Sequence, residues 1–445
     1  MAKAKSHYVC NNCGDSFPKW AGKCDSCGQW NTLIVFHEST VKGKSARGEV
    51  LVPQVLSEVR TQTDQDRLKS NIKPVDEVLG GGIVQASIIL LAGEPGIGKS
   101  TLLLQLAAAI SENQSVLYVS GEESVSQIKL RAERLGLSTA SLKIAASTSA
   151  NDISSSMTSA GYDLVIIDSI QTVSVAELDT SAGSVSQITN SAHLLQSTAK
   201  KTNTAIVMVG HVTKEGSIAG PKILEHLVDV VLNLEGDRYG GFKLLRGVKN
   251  RFGSTNEVGI FEMVDEGLIP VDNPSAALLS ERQTSDGSVV LATIEGTRAL
   301  LVEVQALVTK SSFGYPKRTA VGIDGNRLNL LIAVLNQRTK LDLSEQDIYV
   351  NIVGGMKISE PAADLAVCMA IASASKGMKL SNDAVVFGEV GLSGEIRSVV
   401  HVDKRISESK KLGFPGAIGP KNSKADSYLR SVDNLRDALN QFLSK

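Results

Sequence analysis

The sequence predicts an α/β protein built from three parts, and three observations lead to this fold class. The chain has 445 residues, which at roughly 100–200 residues per domain predicts two or three domains. Aromatic residues make up only 4% of the chain, so we expect aliphatic cores of the kind found in parallel sheets covered by helices. Between about residues 51 and 275, short apolar runs alternate with segments of helical length, which is typical of a parallel sheet.

Changes in local composition indicate where the domains meet. A polar stretch at about residues 39–48 has few apolar residues and predicts a linker. Asn-Pro and Asp-Gly pairs interrupt the chain between residues 272 and 287. We therefore predict domains at residues 1–50, 51–275 and 280–445, the last with a less regular mixture of α and β structure.

The composition also indicates the cellular environment. Hydrophobic residues make up 42% of the chain and charged residues 21%, which is ordinary for a folded soluble protein. These values exclude a disordered chain and a small disulfide-stapled scaffold. The first residues lack the apolar run of a secretory signal, and no apolar stretch approaches the roughly 18 residues of a membrane span. We therefore expect a cytoplasmic protein without membrane attachment, in which cysteines stay reduced and paired cysteines indicate a metal site.

Two Cys-x-x-Cys pairs lie ten residues apart near the start of the chain. The four cysteines are Cys10, Cys13, Cys24 and Cys27. Four thiolates at this spacing can converge on a tetrahedral Zn²⁺ and leave no open position, so we predict a structural zinc site. About 30 residues bury little core, and the metal would supply the folding free energy. Redox-active dithiols are the alternative. We expect Trp20 and Trp30 to cover the site, with binding of a base as the less favoured role.

The segment from residue 93 to residue 101 predicts an ATP site. It matches the pattern G-x-x-x-x-G-K-[ST], follows an apolar strand and opens a helix, which is the context that this motif requires. Backbone amides at the helix N-terminus would bind the phosphates, Lys99 would contact the β- and γ-phosphates, and Ser100 would bind Mg²⁺. The predicted ATP-binding residues are Gly93, Glu94, Pro95, Gly96, Ile97, Gly98, Lys99, Ser100 and Thr101.

Three further strand ends predict the rest of this site. Asp168 ends the apolar run LVIID and is expected on the Mg²⁺ side, with a helix cap as the alternative. Glu122 and Glu123 follow another apolar strand, and one of them, with Glu122 favoured, would orient or deprotonate the attacking water. Alternatively, both carboxylates only favour the N-terminus of the next helix. His211 follows a third strand and is a candidate sensor of the γ-phosphate.

The net charge of −1 by itself argues weakly against a nucleic-acid partner, because such domains tend to be basic. The charge is unevenly distributed, however. Residues 1–50 and 281–445 each carry +3, whereas residues 51–280 carry −7. Within this acidic part, residues 238–251 contain five basic side chains and no acidic one. This basic segment is either a nucleic-acid contact or a solvated strand face.

The loop at residues 212–222 is a second candidate for nucleic-acid contact. It contains glycines together with Lys214 and Lys222. A loop of this kind can follow a nucleic-acid backbone through salt-sensitive contacts that carry little sequence information. The pattern alone indicates only a loop.

Taken together, these motifs resemble the RadA/Sms family of bacterial DNA repair proteins over nearly the whole chain. The phosphate-binding loop, Glu122, the LVIIDS strand and the strand before His211 follow the order of a RecA-type ATPase core. Residues 249–253 match the KNRFG signature of the family. The resemblance implies a C4 zinc finger followed by a RecA-like ATPase domain and a C-terminal Lon-protease-like domain.

The resemblance also implies roles for particular residues. Lys249 and Arg251 would reach the ATP site of a neighbouring subunit, where cations stabilise the transferring phosphoryl group. These two residues are also candidate DNA contacts. The loop at residues 212–222 corresponds to the second DNA-binding loop of RecA-type proteins, and residues 176–186 correspond to the first.

The last third of the chain resembles the Lon protease domain, most clearly at residues 388–396, GEVGLSGEI. Ala362 stands where Lon has its nucleophilic serine, and the Lon lysine position falls on Asp403. Without a hydroxyl or thiol, no acyl-enzyme can form. A fold can persist after its chemistry is lost, so the resemblance implies an inactive scaffold for oligomerisation and DNA binding.

The leading hypothesis is a DNA-dependent ATPase of recombinational repair. It would use ATP, Mg²⁺ and structural Zn²⁺, and would form a homo-oligomer, a hexameric ring, on single-stranded and branched DNA. It would act as a translocase or helicase that moves recombination intermediates with the RecA recombinase. One alternative is a Lon-like ATP-dependent protease, which Ala362 and Asp403 disfavour. The other is a KaiC-like signalling ATPase, which the zinc finger and residues 249–251 disfavour.

Overall fold

The structure is a computed structural model that describes residues 6–10, 16–30, 32–37, 67–138, 141–212, 218–219, 223–236, 242–311, 314–380, 383–421 and 427–443. The chain divides into two compact units. The first comprises Met1–Glu235, Arg246–Thr255 and Asp265–Leu268, and the second comprises Gly236–Leu245, Asn256–Val264 and Ile269–Lys445. The predicted domain boundaries near residues 50 and 275 stay a prediction.

The N-terminal part of the first unit is a small antiparallel sheet. Its strands are β1 (Ser6–Cys10), β2 (Ser16–Phe17) and β3 (Leu33–His37), and β1 lies between the other two. Cys10, Cys24 and Leu33 are buried at its centre, and Tyr8 and Phe17 pack against them. Because this apolar cluster is so small, its stability depends on a bound metal.

The rest of the first unit alternates helices and strands. In chain order these are α1 (Lys73–Val78), β4 (Ile88–Gly93), α2 (Lys99–Ser111), β5 (Val116–Ser120), α3 (Val125–Arg134), β6 (Lys143–Ala146), α4 (Ala150–Ala160), β7 (Leu164–Asp168), α5 (Val185–Thr202), β8 (Ala205–Val209), β9 (His211–Val212), β10 (Ile218–Ala219), α6 (Ile223–Leu227) and β11 (Val230–Gly236). The sheet has the parallel order β11-β4-β8-β7-β5-β6.

Burial explains why the strands of this sheet have nearly continuous apolar sequences. Every residue of β4, β5, β7 and β8 is buried, as expected for parallel strands covered by helices on both faces. Helix α3 begins with a capping box in which Ser124 and Gln127 bond each other's backbone amides. The predicted α/β class is therefore confirmed.

Three strands are divided between the two units or lie wholly in the second. They are β12 (Phe242–Asn250), β13 (Val258–Val264) and β14 (Gly267–Pro270). Residues 242–245 of β12 belong to the second unit, and residues 246–250 belong to the first. The basic segment predicted at residues 238–251 therefore includes parts of both units, and residues 237–241 lie outside the described chain.

The second unit is a mixed sheet with helices. In chain order its elements are α7 (Pro274–Leu279), β15 (Ser288–Glu295), β16 (Arg298–Lys310), β17 (Arg318–Val321), α8 (Gly325–Arg338), β18 (Gln346–Ile352), α9 (Asp364–Lys376), β19 (Val385–Val386), β20 (Glu389–Val390), β21 (Ile396–Arg397), α10 (Val402–Lys411), β22 (Ala417–Gly419), β23 (Leu429–Ser431) and α11 (Leu435–Phe442). The sheet order is β17-β18-β16-β15-β19-β22-β23, with antiparallel pairing of β16 to β15 and to β18. Helix α9 is buried along most of its length in the aliphatic core of this unit. In the described part of the chain, no helix has the length and apolar character needed to cross a membrane.

Candidate ATP site and metal centre

The phosphate-binding loop joins β4 to α2 and depends on glycines. A Cβ on Gly93 would lie 2.6 Å from the carbonyl oxygen of Leu234, so a larger residue would not fit there. Gly98 precedes α2 with φ of 113°, a left-handed conformation that favours glycine. Because no described side chain caps α2, its first backbone amides remain available to a phosphate.

Lys99 is buried beneath this loop. Its Nζ donates hydrogen bonds to the carbonyl oxygens of Gly93 and Glu94, each at 2.9 Å. Burial lowers the pKa of Lys99, while attraction to Asp168 and Glu122 acts in the opposite direction. The ammonium group therefore lies near both carboxylates that the sequence assigned to catalysis.

Asp168 is held by a residue that the sequence did not single out. The hydroxyl of Tyr118, on the neighbouring strand β5, donates to Oδ2 of Asp168 at 2.6 Å. Burial, followed by the charge of Asp168, raises the pKa of Tyr118 well above its ordinary value. The phenol thus stays protonated and orients one carboxylate oxygen. Tyr118 lies inside an apolar run, where a core role is the usual interpretation, so the sequence contains no signal for this contact.

The structure separates the two candidate water-activating carboxylates. Glu122 accepts a hydrogen bond from the hydroxyl of Ser169 at 2.8 Å through its Oε1. Glu123 instead forms an ion pair with Arg131 of α3. Glu122 therefore lies beside Asp168 and Lys99, whereas Glu123 is held against the next helix. The sequence contains one indication of the contact between Ser169 and Glu122, namely that Ser169 directly follows Asp168 at the end of a strand.

The parallel register explains why these side chains meet. Ser120 at the end of β5 is paired with Asp168 at the end of β7, and the amide of Gly210 donates to the carbonyl of Leu91 on β4 at 2.9 Å. The carboxyl ends of these strands consequently share one edge of the sheet, which is where open α/β sheets bind ligands. His211 follows Gly210 at this edge and opens the short strand β9.

The predicted DNA loops follow the same edge. Residues 211–212 pair with residues 218–219 as an antiparallel ribbon. Lys214 and Lys222 lie outside the described residues.

The loop at residues 176–186 follows β7 and is anchored by a side chain that the sequence did not single out. Gln187 is buried, accepts the amide of Val175 at 2.9 Å, and donates to the carbonyls of Leu178 and Thr180, both at 2.9 Å. A polar residue at the start of an amphipathic helix normally indicates an exposed position, so the pattern gave no hint of this contact.

Lys249 and Arg251 lie at the opposite end of the strands from the phosphate-binding loop. Lys249 donates to the carbonyls of Glu225 at 2.6 Å and Val228 at 2.8 Å. Arg251 Nη1 donates to Asp229 at 3.0 Å. Asp229 precedes β11, and its other carboxylate oxygen accepts the amide of Ile88, the first residue of β4. The two basic residues are therefore near the beginning of β4, and the phosphate-binding loop is at its end.

The thiols of the N-terminal sheet form the candidate metal centre. The Sγ atoms of Cys10, Cys24 and Cys27 lie within 4.8 Å of one another, and those of Cys10 and Cys27 are 3.6 Å apart. Cys13 lies outside the described residues. Converging sulfur ligands of this kind fit structural zinc, which would be held by the cysteine thiolates.

The expected positions of the two tryptophans were wrong. Trp20 and Trp30 are 58% and 70% exposed, so neither is buried with the cysteines. Tyr8, Phe17 and Leu33 surround the buried thiols instead. These smaller side chains lie on β1, β2 and β3, and the pairing of these strands places them next to the thiols. Both tryptophans lie on the loop after β2.

In the second unit, the positions of the Lon dyad hold no catalytic pair. Ala362 is buried in a short 3₁₀ turn before α9 and has no hydroxyl. Asp403 is exposed on α10. A partly buried ion pair near this turn joins Glu360 to the fully buried Arg405. The carboxylate of Glu360 also accepts bonds from the hydroxyl of Thr293 and the amide of Ile294, each at 2.9 Å.

Three protein families match separate parts of the chain. The family described as AAA domain matches residues 54–217. The rubredoxin metal binding domain matches residues 8–34, and subunit ChlI of Mg-chelatase matches residues 317–423. The first two matches confirm the ATPase domain and the zinc ribbon. The third lies within the C-terminal part of the chain that the sequence identified as Lon-like.

Similar proteins extend over the full length of the chain. DNA repair protein RadA of Bacillus subtilis is 48% identical over 94% of this chain and 93% of its own. RadA of Listeria monocytogenes is 45% identical over 100% of both chains, and RadA of Haemophilus influenzae is 46% identical over 99% of both. Among solved structures, one described as an ATPase domain aligns with a TM-score of 0.41 and 15% identity over 46% of this chain and 91% of its own.

Proposed function

Because the chain belongs to the RadA family of DNA repair proteins, we propose that it is a DNA-dependent ATPase and translocase that moves recombination intermediates together with the RecA recombinase. ATP hydrolysis follows from the AAA domain, whereas the DNA dependence, the motion along DNA and the RecA partner are proposed. We also propose that it works in the cytoplasm as a hexameric ring on single-stranded and branched DNA.

The observation that carries the proposal is the shared edge of the parallel sheet, where Lys99, Asp168 and Glu122 meet. Lys99 already bonds two loop carbonyls, and phosphate oxygens can replace these acceptors without leaving the cation unpaired. Ser100 and Asp168 are the residues that would hold Mg²⁺, which neutralises charge on the β- and γ-phosphates when it is bound. Tyr118 keeps the Asp168 carboxylate in one orientation.

Glu122 is the proposed residue that orients or deprotonates the attacking water. Its carboxylate accepts a hydrogen bond from the hydroxyl of Ser169 through Oε1 and lies near the ammonium group of Lys99. Glu123 is already paired with Arg131. A base must lie within hydrogen-bond reach of the water, and position favours Glu122 for this role.

The placement of Lys249 and Arg251 supports completion of the site by a second subunit. Strand β4 has six residues, so its two ends are roughly 20 Å apart at about 3.3 Å per residue. Lys249 and Arg251 lie near the first end and the phosphate-binding loop lies at the second, and this separation favours the ATP of a neighbouring subunit as their target. Cations that act in trans on a transferring phosphoryl group need subunits arranged head to tail. Such contacts either close into a ring or continue as a helical filament.

The DNA loops are proposed to connect DNA binding to ATP hydrolysis. The loops at residues 176–186 and 212–222 begin at the same sheet edge as Asp168 and His211, so a DNA contact there can shift groups near the γ-phosphate. Gln187 anchors the first loop at its base. Lys214 and Lys222 are the proposed DNA contacts of the second loop, together with Lys249 and Arg251.

One set of measurements tests the proposal. The rate of phosphate release is measured without DNA and with single-stranded, duplex and forked DNA, and the size of the oligomer is determined by light scattering in parallel. We expect single-stranded or forked DNA to raise the rate, and Lys99→Ala to abolish it. Lys73→Ala, which removes an exposed lysine of α1, is the matched control and should leave the rate unchanged. A high basal rate that no DNA alters would contradict the DNA-dependent function.

The partner requires its own measurement. Joint molecules formed by RecA between homologous DNAs are incubated with ATP and either the native protein or Lys99→Ala. Faster extension of the heteroduplex with the native protein alone is expected. Equal extension with both proteins would exclude an ATP-driven role in branch migration.

A further inference from the structure

The two tryptophans of the zinc ribbon form an exposed aromatic surface. Trp20 is 58% exposed and Trp30 is 70% exposed. Tryptophan is on average a highly buried residue, and the apolar cluster around the cysteines is completed by Tyr8 and Phe17 rather than by these side chains. Neither the metal centre nor the small core accounts for the position of the indoles.

The two rings are neighbours, and Gly22 lies between them. A Cβ built on Gly22 would lie 3.7 Å from the ring of Trp30 and 3.9 Å from that of Trp20. The absence of a side chain at residue 22 therefore leaves the space between the rings open. Scattered apolar residues on a surface are ordinary, but adjacent large ones mark interaction sites.

Lysines border this aromatic pair. The Nζ of Lys23 lies 5.9 Å from the centroid of the Trp30 ring, and Lys23 and Trp30 are paired by a backbone bridge. Lys19 directly precedes Trp20 in the sequence and is exposed. With Lys23 beside the Trp30 ring and 70% of the residue exposed, much of the indole is accessible to a ligand.

We propose that Trp20, Trp30, Lys19 and Lys23, together called the tryptophan surface, bind single-stranded DNA by stacking bases on the indoles and pairing the lysines with phosphates. This inference rests on the proposed function, in which single-stranded DNA is a partner, and it assigns a contact to the zinc ribbon. Aromatic platforms beside cations are the usual means of binding single strands without sequence preference.

The chemistry favours a single strand over a duplex or a protein partner. Bases in a duplex are stacked on each other and present no free face, whereas a single strand offers one for each indole. An apolar protein surface would match the indoles but would leave both lysine charges next to it without acceptors. Phosphates supply such acceptors at every nucleotide.

The composition of the chain makes a direct test possible. The protein has two tryptophans, and both belong to the tryptophan surface, so its intrinsic tryptophan emission comes from this site alone. The full-length, zinc-loaded protein carrying Lys99→Ala, which cannot hydrolyse ATP in the proposed mechanism, is titrated with a thymidine oligonucleotide. Binding is followed by the anisotropy of a label on the DNA and, in the same samples, by tryptophan emission. We expect the emission to fall and to saturate at the same DNA concentration as the anisotropy.

Variants distinguish stacking from an indirect change in emission. Trp20→Ala combined with Trp30→Ala should weaken the affinity for the oligonucleotide by at least about fivefold, because stacking accounts for roughly 1–3 kcal/mol per base. Tyr315→Ala is the matched control, since it removes an aromatic side chain that is 87% exposed in the second unit, and it should leave the affinity unchanged. Lys19→Gln with Lys23→Gln should lower the slope of log affinity against log salt by about 0.7 for each phosphate that is no longer neutralised.

The outcomes separate this inference from the proposed function. DNA binding seen by anisotropy without a change in emission, or with unchanged affinity in the double tryptophan variant, would overturn the tryptophan surface as a DNA site. The DNA-dependent function would survive that result. Absence of any binding to single-stranded DNA would overturn both. Zinc content is measured for each variant, and a variant with a full complement of zinc retains the ribbon fold.

Discussion

Arg251 donates from Nη1 to Oδ1 of Asp229 at 3.0 Å, and Oδ2 of the same carboxylate accepts the amide of Ile88 at 3.1 Å. The backbone amide of Arg251 also donates to the carbonyl of Asp229 at 3.2 Å. Arg251 is thus held at both its backbone and its guanidinium group. Since a guanidinium has five N–H donors, the nitrogens that do not face Asp229 can still bond a phosphate of another subunit.

Mixing two inactive variants should restore ATP hydrolysis. Lys99→Ala lacks a working ATP site but keeps Arg251, whereas Arg251→Ala keeps the ATP site but lacks the cation. Each variant alone should lose at least about a thousandfold in kcat, the lower range for loss of such an arginine. In a mixed ring, Arg251 of one variant meets the intact site of the other, so phosphate release should return. A mixture as inactive as its components would show that Arg251 does not act in trans.

Lys249 should give the ATPase rate an unusual dependence on alkaline pH. Burial, followed by the charge of Arg251, lowers the pKa of Lys249 below the ordinary lysine value of 10.5, and Asp229 and Glu225 act against this shift. A cation is present below its pKa and is lost as the pH rises through it. DNA-stimulated kcat should therefore decline below pH 10.5 in the native protein. In Lys249→Arg the charge persists, and the decline should move to higher pH.

The matched control for this pH profile is Lys73→Arg, which makes the same replacement at an exposed lysine of α1. Its profile should coincide with that of the native protein. Coinciding profiles for all three proteins would mean that Lys249 does not set the alkaline decline, which Lys99 would then account for, because burial lowers its pKa as well.

Glu122 and Glu123 should differ sharply when each is replaced by glutamine. Loss of a general base typically lowers a rate by about 10²–10⁴, so Glu122→Gln should lower kcat by this amount while ATP binding persists. Glu123→Gln removes the ion pair with Arg131 and should change kcat by less than about threefold, since this partly exposed pair only joins the segment before α3 to the last turn of the helix. Single-turnover rates and nucleotide affinities distinguish the two variants. An equal loss of kcat in both variants would show that the two glutamates affect hydrolysis only through the structure of α3.

Arg405 should be essential to the stability of the second unit. The side chain is fully buried, and it pairs with Glu360 and the carbonyl of Val400. Arg405→Met would leave Glu360 without its cation and should lower the free energy of unfolding by about 3–5 kcal/mol. Lys404→Met, at an exposed neighbour that bonds the carbonyl of Thr297, is the matched control and should change it by less than about 1 kcal/mol. Urea unfolding of both variants measures the difference. A small loss in Arg405→Met would mean that the pair contributes little beyond a hydrophobic replacement.

The parts of the site that the sequence predicted are those that depend on strand ends. Parallel strands bring their carboxyl ends to one edge, so a phosphate-binding loop after one apolar run and Asp168 at the end of another were expected to meet. In the structure Asp168 lies close enough to Lys99 of that loop to oppose the lowering of its pKa. The choice between Glu122 and Glu123 depended on side-chain partners, Ser169 and Arg131, which no periodicity reveals. The roles of these residues stay predictions.

Contacts between distant parts of the chain were beyond the reach of the sequence. Tyr118 and Asp168 are 50 positions apart, and Ile88 and Asp229 are 141 apart; each pair meets only because of the strand order. The error over Trp20 has a different origin. Large aromatic side chains near cysteines usually complete a small core, but here the strands position Tyr8 and Phe17 for that purpose.

The division of the chain into units has a practical consequence for engineering. The chain passes from one unit to the other five times between residues 235 and 269, and Leu244, Val258 and Ile260 belong to the aliphatic core of the second unit. A shortened chain that stops at residue 275 would keep these side chains and delete the core around them. Such a truncated protein would expose apolar surface and aggregate. Loss of activity on truncation would therefore not show that the deleted residues take part in catalysis. Point substitutions in the intact polypeptide are the sound way to dissect this enzyme.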